Sequence, residues 1–108
     1  GQGQGATLSI ASEKQAYALT DRGTFLAYQT NVDLAILFEG DPALLNIYHV
    51  ITVNPQKWPD VNLEGAQAFA DFITSPAGQQ IIREFGLGKF GESLFYPDAD
   101  KTDANFGL

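Results

Sequence analysis

Three short runs, the apolar Ala16–Leu19 and the branched- and aromatic-rich Val32–Phe38 and Ile47–Val53, limit the fold more than any other feature. Each reads as a strand, and each ends at a turn or cap signal: Thr20-Asp21, Gly40-Asp41-Pro42 and Asn54-Pro55. Proline removes a ladder donor and pushes the residue before it out of the helical region, so the third run stops at Asn54. Helix signals alternate with these runs. Ala6–Lys14 fits either period, since Leu8 and Ile10 alternate while Leu8 and Ala11 share a helical face; Ala and Glu-Lys favour the helix. Thr20-Asp21 caps a short helix carrying Phe25, Leu26 and Tyr28, broken at Asn31.

The last third carries the clearest periodicity. Asn62 is placed to cap a helix whose Ala66, Phe69, Ala70 and Ile73 fall on one stripe. Ser75-Pro76 then supplies a new cap with proline at the first helical position, and Ala77, Ile81, Ile82 and Phe85 form the next inward face, closed by Gly86. Beyond Gly86 the chain is turn-rich and aromatic, and the acidic segment from Asp98 has little to pack. Strands alternating with helices predict an α/β or α+β arrangement with a partly parallel sheet. Three strands make a thin sheet, because free-standing sheets usually have about 4 to 6.

Length and charge narrow the function. A chain of 108 residues holds one ordinary domain or part of a larger one. Thirteen acidic against six basic residues give a net charge of −7, which repels phosphate backbones and anionic headgroups, so nucleic acid is not an expected partner. With no cysteine, disulfides, thiol catalysis and thiolate-bound metal are excluded. The longest apolar stretch, Leu34–Phe38, falls far short of the roughly 20 residues that cross a bilayer. No signal segment and no initiator Met open the sequence, as expected of a mature, trimmed or fragmentary chain.

Catalytic patterns are weak. His49 is the only histidine and lies in an apolar run without a second ligand at metal-binding spacing. Asp98, Asp100 and Asp103 imitate an alternating calcium loop but lack its glycine and closing glutamate, and read as a solvated tail. Ser9, Ser12, Ser75 and Ser93 lack the glycine-flanked elbow of a hydrolase. No enzyme activity and no cofactor are expected. Gly1, Gly3 and Gly5 match neither the dinucleotide nor the phosphate-loop fingerprint. If a helix starts near Gly5, however, its first free amides and its dipole face whatever anion lies before them, and Thr7 adds a hydroxyl. Thr20-Asp21-Arg22-Gly23 lies at the carboxyl end of an expected strand, where open α/β sheets contact ligands; the alternative is a helix cap with an Asp21–Arg22 surface charge pair.

Gly3-Gln4-Gly5-Ala6-Thr7-Leu8, followed by Glu13-Lys14-Gln15-Ala16-Tyr17-Ala18-Leu19-Thr20-Asp21-Arg22-Gly23-Thr24, resembles the tungstate-binding proteins of bacterial ABC importers. Glu39-Gly40-Asp41-Pro42, Tyr48–Pro55 and Phe72–Ile82 are similar to the same family in the same order, so the likeness spans nearly all of residues 1–97. The Glu13–Thr24 and Glu39–Pro42 blocks are specific to it, whereas the helix from Ser75 is shared with binding proteins for molybdate and phosphate.

The resemblance implies the C-terminal half of a two-lobed, type II periplasmic-binding-protein-like fold. Residues 1–49 would finish the second lobe. Residues 50–108 would supply a hinge strand, running from about His49 to Pro55, and helices returning to the first lobe. It further implies an oxyanion ligand, tungstate or molybdate, faced by Gly3, Gln4, Gly5 and Thr7, with Tyr17 and Thr20 at a nearby strand end. Gln4 stands where the family often has Met, which leaves the part of its backbone amide intact. The implied partners are the missing N-terminal half and an ABC permease, in the periplasm or anchored outside the cytoplasmic membrane. A competing expectation is a small α/β interaction domain whose segment Phe90–Tyr96 is the adhesive surface.

Overall fold

Two helix pairs carry the packing in the computed structural model, which describes residues 3–106. The first pair is α1 (Gln4–Lys14) and α2 (Arg22–Tyr28), and the second is α3 (Leu63–Thr74) and α4 (Pro76–Glu84). A 3-10 turn, Pro42–Leu44, and two single-turn helices, α5 (Leu87–Phe90) and α6 (Asp103–Phe106), complete the regular structure.

Local chemistry explains each boundary. The ambiguous first segment is a helix, and it stops because Gln15 adopts a left-handed conformation (φ 52°, ψ 48°). In that turn the Gln15 N–H donates to Ser12 O and the Ala16 N–H to Ala11 O, which satisfies carbonyls that the helix end would otherwise orphan. Asp21 caps α2 by accepting from Thr24 N. Asn62 caps α3 through Gly65 N, and Ser75 caps α4 through Gly78 N with Pro76 in the first turn. Gly86, at φ 100°, turns the chain after α4.

Leu8 and Ala11 of α1 and Leu26 of α2, two helices that pack together, are the buried apolar residues among those described. The stripes of α3 and α4 form as expected but are only partly covered. Ala66, Ala70 and Ile73 are half-buried, whereas Phe69, Ile81 and Phe85 are exposed, so the inward face expected of α4 is only partly covered, Phe85 by the ring of Phe95.

The expected strands are the main departure. Among the described residues none of the runs Ala16–Leu19, Val32–Phe38 and Ile47–Val53 forms a ladder, and the regular structure is helical throughout. A strand exists only against a neighbour about 4.8 Å away that takes up its N–H and C=O groups. Here no such neighbour lies beside the three runs, and their side chains stand open: Tyr17 is 91% and Ile51 83% exposed.

The dimensions agree with an open arrangement. The radius of gyration is 17.3 Å, against about 13 Å for a compact chain of about 100 residues. The accessible surface of 8429 Å² exceeds by about 2500 Å² what a folded monomer of 11.7 kDa exposes. Among the described residues no helix is long and apolar enough to cross a membrane.

Candidate functional site

Among the described residues, nothing accepts from the first N–H groups of α1. Its first intrahelical bond is Thr7 N–H to Gly3 O at 3.1 Å, so the N–H groups of Gln4, Gly5 and Ala6 have no acceptor within the helix. Gly3, the N-cap, is extended (φ −71°, ψ 167°) and offers no side-chain cap, and no acidic residue sits in the first turn. Free amides and the positive end of the dipole therefore coincide.

The glycines there have different reasons for being glycine. A methyl at Gly3 would meet nothing within 4 Å, whereas one at Gly5 would stand 2.3 Å from Cζ of Tyr28. The Tyr28 ring of α2 thus packs directly on the Gly5 backbone, and a larger residue there would have to push the end of that ring aside. The Thr7 hydroxyl donates to Gly3 O at 3.3 Å and the Thr20 hydroxyl to Asp21 O at 3.3 Å, so both protons serve the local backbone.

Gln4, Tyr17 and Thr20 line one broad groove together with the open runs around Ile36, Tyr48 and Ile51; Gly3, Gly5 and Thr7 are not among its lining residues. At about 2250 Å³ the groove is well beyond the roughly 300–1000 Å³ of a small-molecule pocket, so it is an open apolar face rather than a formed ligand cage. His49 is exposed on the wall of this groove.

The charge pairing differs from the surface pair Asp21–Arg22. Asp21 is occupied as a cap, accepting from both Thr24 N and Thr24 Oγ1 at 2.7 Å. Arg22 reaches instead to Glu39, Nη1 to Oε2 at 2.5 Å, and to Glu92 Oε2, from Nη2 at 2.9 Å and Nε at 3.2 Å. The hydrogen bond to Glu92 leads in raising the guanidinium above its ordinary range; burial opposes it and the charge of Glu39 adds to it. Sequence reasoning missed this group because its members are 17 and 70 residues apart, and nothing local in the chain signals such a meeting.

The aromatic segment near the C-terminus is partly used internally. Phe95 packs edge-on to Tyr48, with ring centroids 5.8 Å apart, and lies 6.1 Å from Phe85. Asp98, expected in a solvated tail, pairs with Lys101, and the adjoining Ala99 N–H donates to the Gln79 side chain of α4.

Comparison with known proteins places this arrangement. A family profile described as the PBP superfamily domain matches residues 1–77. A Haloferax volcanii protein whose name describes an ABC transporter anion-binding protein is 48% identical over 99% of this chain and 32% of its own length. The tungstate-binding protein TupA of Peptoclostridium acidaminophilum is 46% identical over 94% of this chain and 35% of its own length. TupA of Campylobacter jejuni is 40% identical over 92% of this chain and 38% of its own length. The chain thus spans about a third of the length of the curated relatives that it matches.

Proposed function

This chain belongs to the PBP superfamily, and on that premise we propose that it is the C-terminal part of a receptor for a tetrahedral oxyanion, tungstate or molybdate. The receptor works outside the cytoplasmic membrane, in the periplasm or anchored to the membrane, and delivers its ligand to an ABC permease. The function is binding, with no chemical step. The observation that carries this reading is the match to TupA, 46% identical over 94% of the chain and named for tungstate. The Haloferax relative's name supports an ABC transporter and an anion.

The local geometry suits such a ligand. The amides of Gln4, Gly5 and Ala6 at the start of α1 are donors that need no countercharge, because each contact is strengthened by the charge of the ligand itself. Gly3 contributes an unobstructed approach. Gln4, Thr20 and Tyr17 share one groove, which supports a common role for them, and the Thr7 hydroxyl, now donating to Gly3 O, is the further donor proposed from the first turns of α1.

The architecture proposed is a two-lobed α/β clamshell. Residues 1–49 complete the second lobe, and residues 50–108 supply a hinge strand and the helices that return to the first. The three apolar runs become strands when the remainder of the receptor, including an N-terminal half, provides their neighbours. The excess exposed surface of about 2500 Å² is of the size that a permanent interface takes from one partner. Closure of the lobes about the hinge then encloses a dehydrated dianion, and stripping water from a double charge is costly enough that nearly every oxygen needs a donor.

Isothermal calorimetry with sodium tungstate tests this. The complete product of the gene that encodes these residues should bind tungstate tightly, and the 108-residue chain by itself weakly, because it offers only part of the donor set. Absence of binding by the complete product would refute the oxyanion reading, and submicromolar binding by the short chain would refute the divided cleft.

A further inference from the structure

The two sequence blocks that stand out most, Glu13–Thr24 and Glu39–Pro42, are joined in space by one side chain, that of Arg22. Arg22, the first residue of α2, is a three-way junction. Its Nη1 meets Glu39 at the end of the second apolar run, and its Nε and Nη2 converge on one oxygen of Glu92, in the turn beyond α5.

That turn is itself tied to the second helix pair. The Leu94 N–H donates to Phe85 O at 2.9 Å, and the Ser93 hydroxyl donates to Ile82 O at 3.3 Å. On the other side the Gly23 backbone lies so close that an added methyl would come within 3.1 Å of Leu94 O. Through Glu92, then, Arg22 connects the α1/α2 pair, which carries the free amides, to the α3/α4 pair. Through Glu39 it also holds the end of the run before the Gly40 turn, where φ is +82°.

Two carboxylates surround one guanidinium, so the group as a whole carries a net negative charge. Such a group repels a dianion, and the planar fork of Arg22 is already used on protein oxygens. Building on the oxyanion reading, we propose that Arg22 is a positioning residue: clamped by Glu39 and Glu92, it sets the Thr20–Asp21 turn and the start of α2 against the C-terminal turn, and it does not contact the ligand.

This makes a prediction of sign. If Arg22 acts by position, Glu92→Gln loosens the clamp and weakens tungstate binding, by about two- to fivefold for a half-exposed pair of this kind. If Arg22 instead contacts the anion, Glu92→Gln or Glu39→Gln releases the guanidinium and tightens binding. The experiment is tungstate calorimetry on the complete gene product carrying E92Q, E39Q, R22K, R22Q and the R22Q/E92Q pair. Clamping predicts weaker binding in E92Q and E39Q, incomplete rescue by Arg22→Lys, which keeps the charge without the fork, and a double variant no weaker than R22Q alone. Unchanged or tighter binding in E92Q overturns the proposal, and so does strict additivity in the double variant.

Amide hydrogen exchange at Thr20–Thr24 is the second readout and needs no ligand. Faster exchange in E92Q and R22Q than in the parent supports the clamp, and equal exchange overturns it. A parent protein that binds no tungstate would sink the oxyanion reading, and the exchange measurement would still decide whether the clamp exists.

Discussion

Gly78→Ala should destabilise the protein even though alanine is the better helix former. Gly78 is buried in the first turn of α4, where that helix turns back across the end of α3. A methyl there would lie 2.2 Å from Phe72 O, 2.8 Å from Ile73 O and 2.9 Å from Ile73 Cα, against an ordinary contact of 3.4 Å or more. All three are backbone atoms and cannot rotate aside. Both carbonyls are also engaged: Phe72 O accepts from Ser75 N at 3.1 Å and Ser75 Oγ at 2.7 Å, and Ile73 O accepts from Gln79 Nε2 at 2.9 Å. Relieving the overlap by more than 1 Å means opening the α3–α4 junction and stretching the Ser75 cap on Gly78 N, now 3.2 Å.

The helix-propensity gain from Gly to Ala is about 1 kcal/mol. Overpacking costs about 1–3 kcal/mol and a lost cap about 1 kcal/mol, so the net loss is about 1–3 kcal/mol. Urea denaturation of the complete gene product, followed by circular dichroism, measures it. Gly88→Ala is the control: it lies in α5 with nothing within 4 Å of an added methyl, and should be neutral or stabilising by up to about 1 kcal/mol. A Gly78→Ala protein as stable as the parent, with Gly88→Ala behaving as expected, would refute the claim that backbone contact at this junction demands glycine.

Three further outcomes follow from the same contacts. Asn62→Ala removes the acceptor that holds Gly65 N at 2.9 Å and should cost about 1 kcal/mol, read from the urea midpoint; Gly65→Ala, whose methyl would sit 2.6 Å from Asn62 Nδ2, should lose much of the same cap. Leu8→Ala empties the best-buried position between α1 and α2 and should cost about 2–5 kcal/mol, with amide exchange in both helices rising together. The Arg22 guanidinium is raised in the fold, so its stabilising contribution is complete below the ordinary guanidinium range and lost only as pH climbs through the raised value. Going from pH 7 to pH 9 should therefore leave the clamp intact, whereas raising salt from 0.05 to about 1 M should loosen it, as followed by amide exchange at Thr20–Thr24.

Helices and their ends were legible in the chain because they are local. The caps at Asp21, Asn62 and Ser75, the proline after Ser75 and the turn at Gly86 all act within four residues, and each stands where its residue type predicts. The Schellman ending at Gln15 was not legible, since a glutamine in the left-handed region carries no compositional mark. Of the site, the free amides before Thr7 followed from the helix start, but the packing of Tyr28 on Gly5 did not, because it depends on how α2 crosses α1.

Residue type and spacing, acting over one or two turns, determined where this chain becomes helical, where each helix stops and which runs are apolar enough to seek a sheet. Tertiary structure alone decided that Arg22 meets Glu39 and Glu92, that Gly78 is glycine for want of space, that Tyr28 lies on Gly5, and that the three apolar runs stay open. The division has a physical cause: a helix satisfies its hydrogen bonds from its own neighbours in sequence, whereas a strand or an ion pair needs a partner that only the folded arrangement can bring.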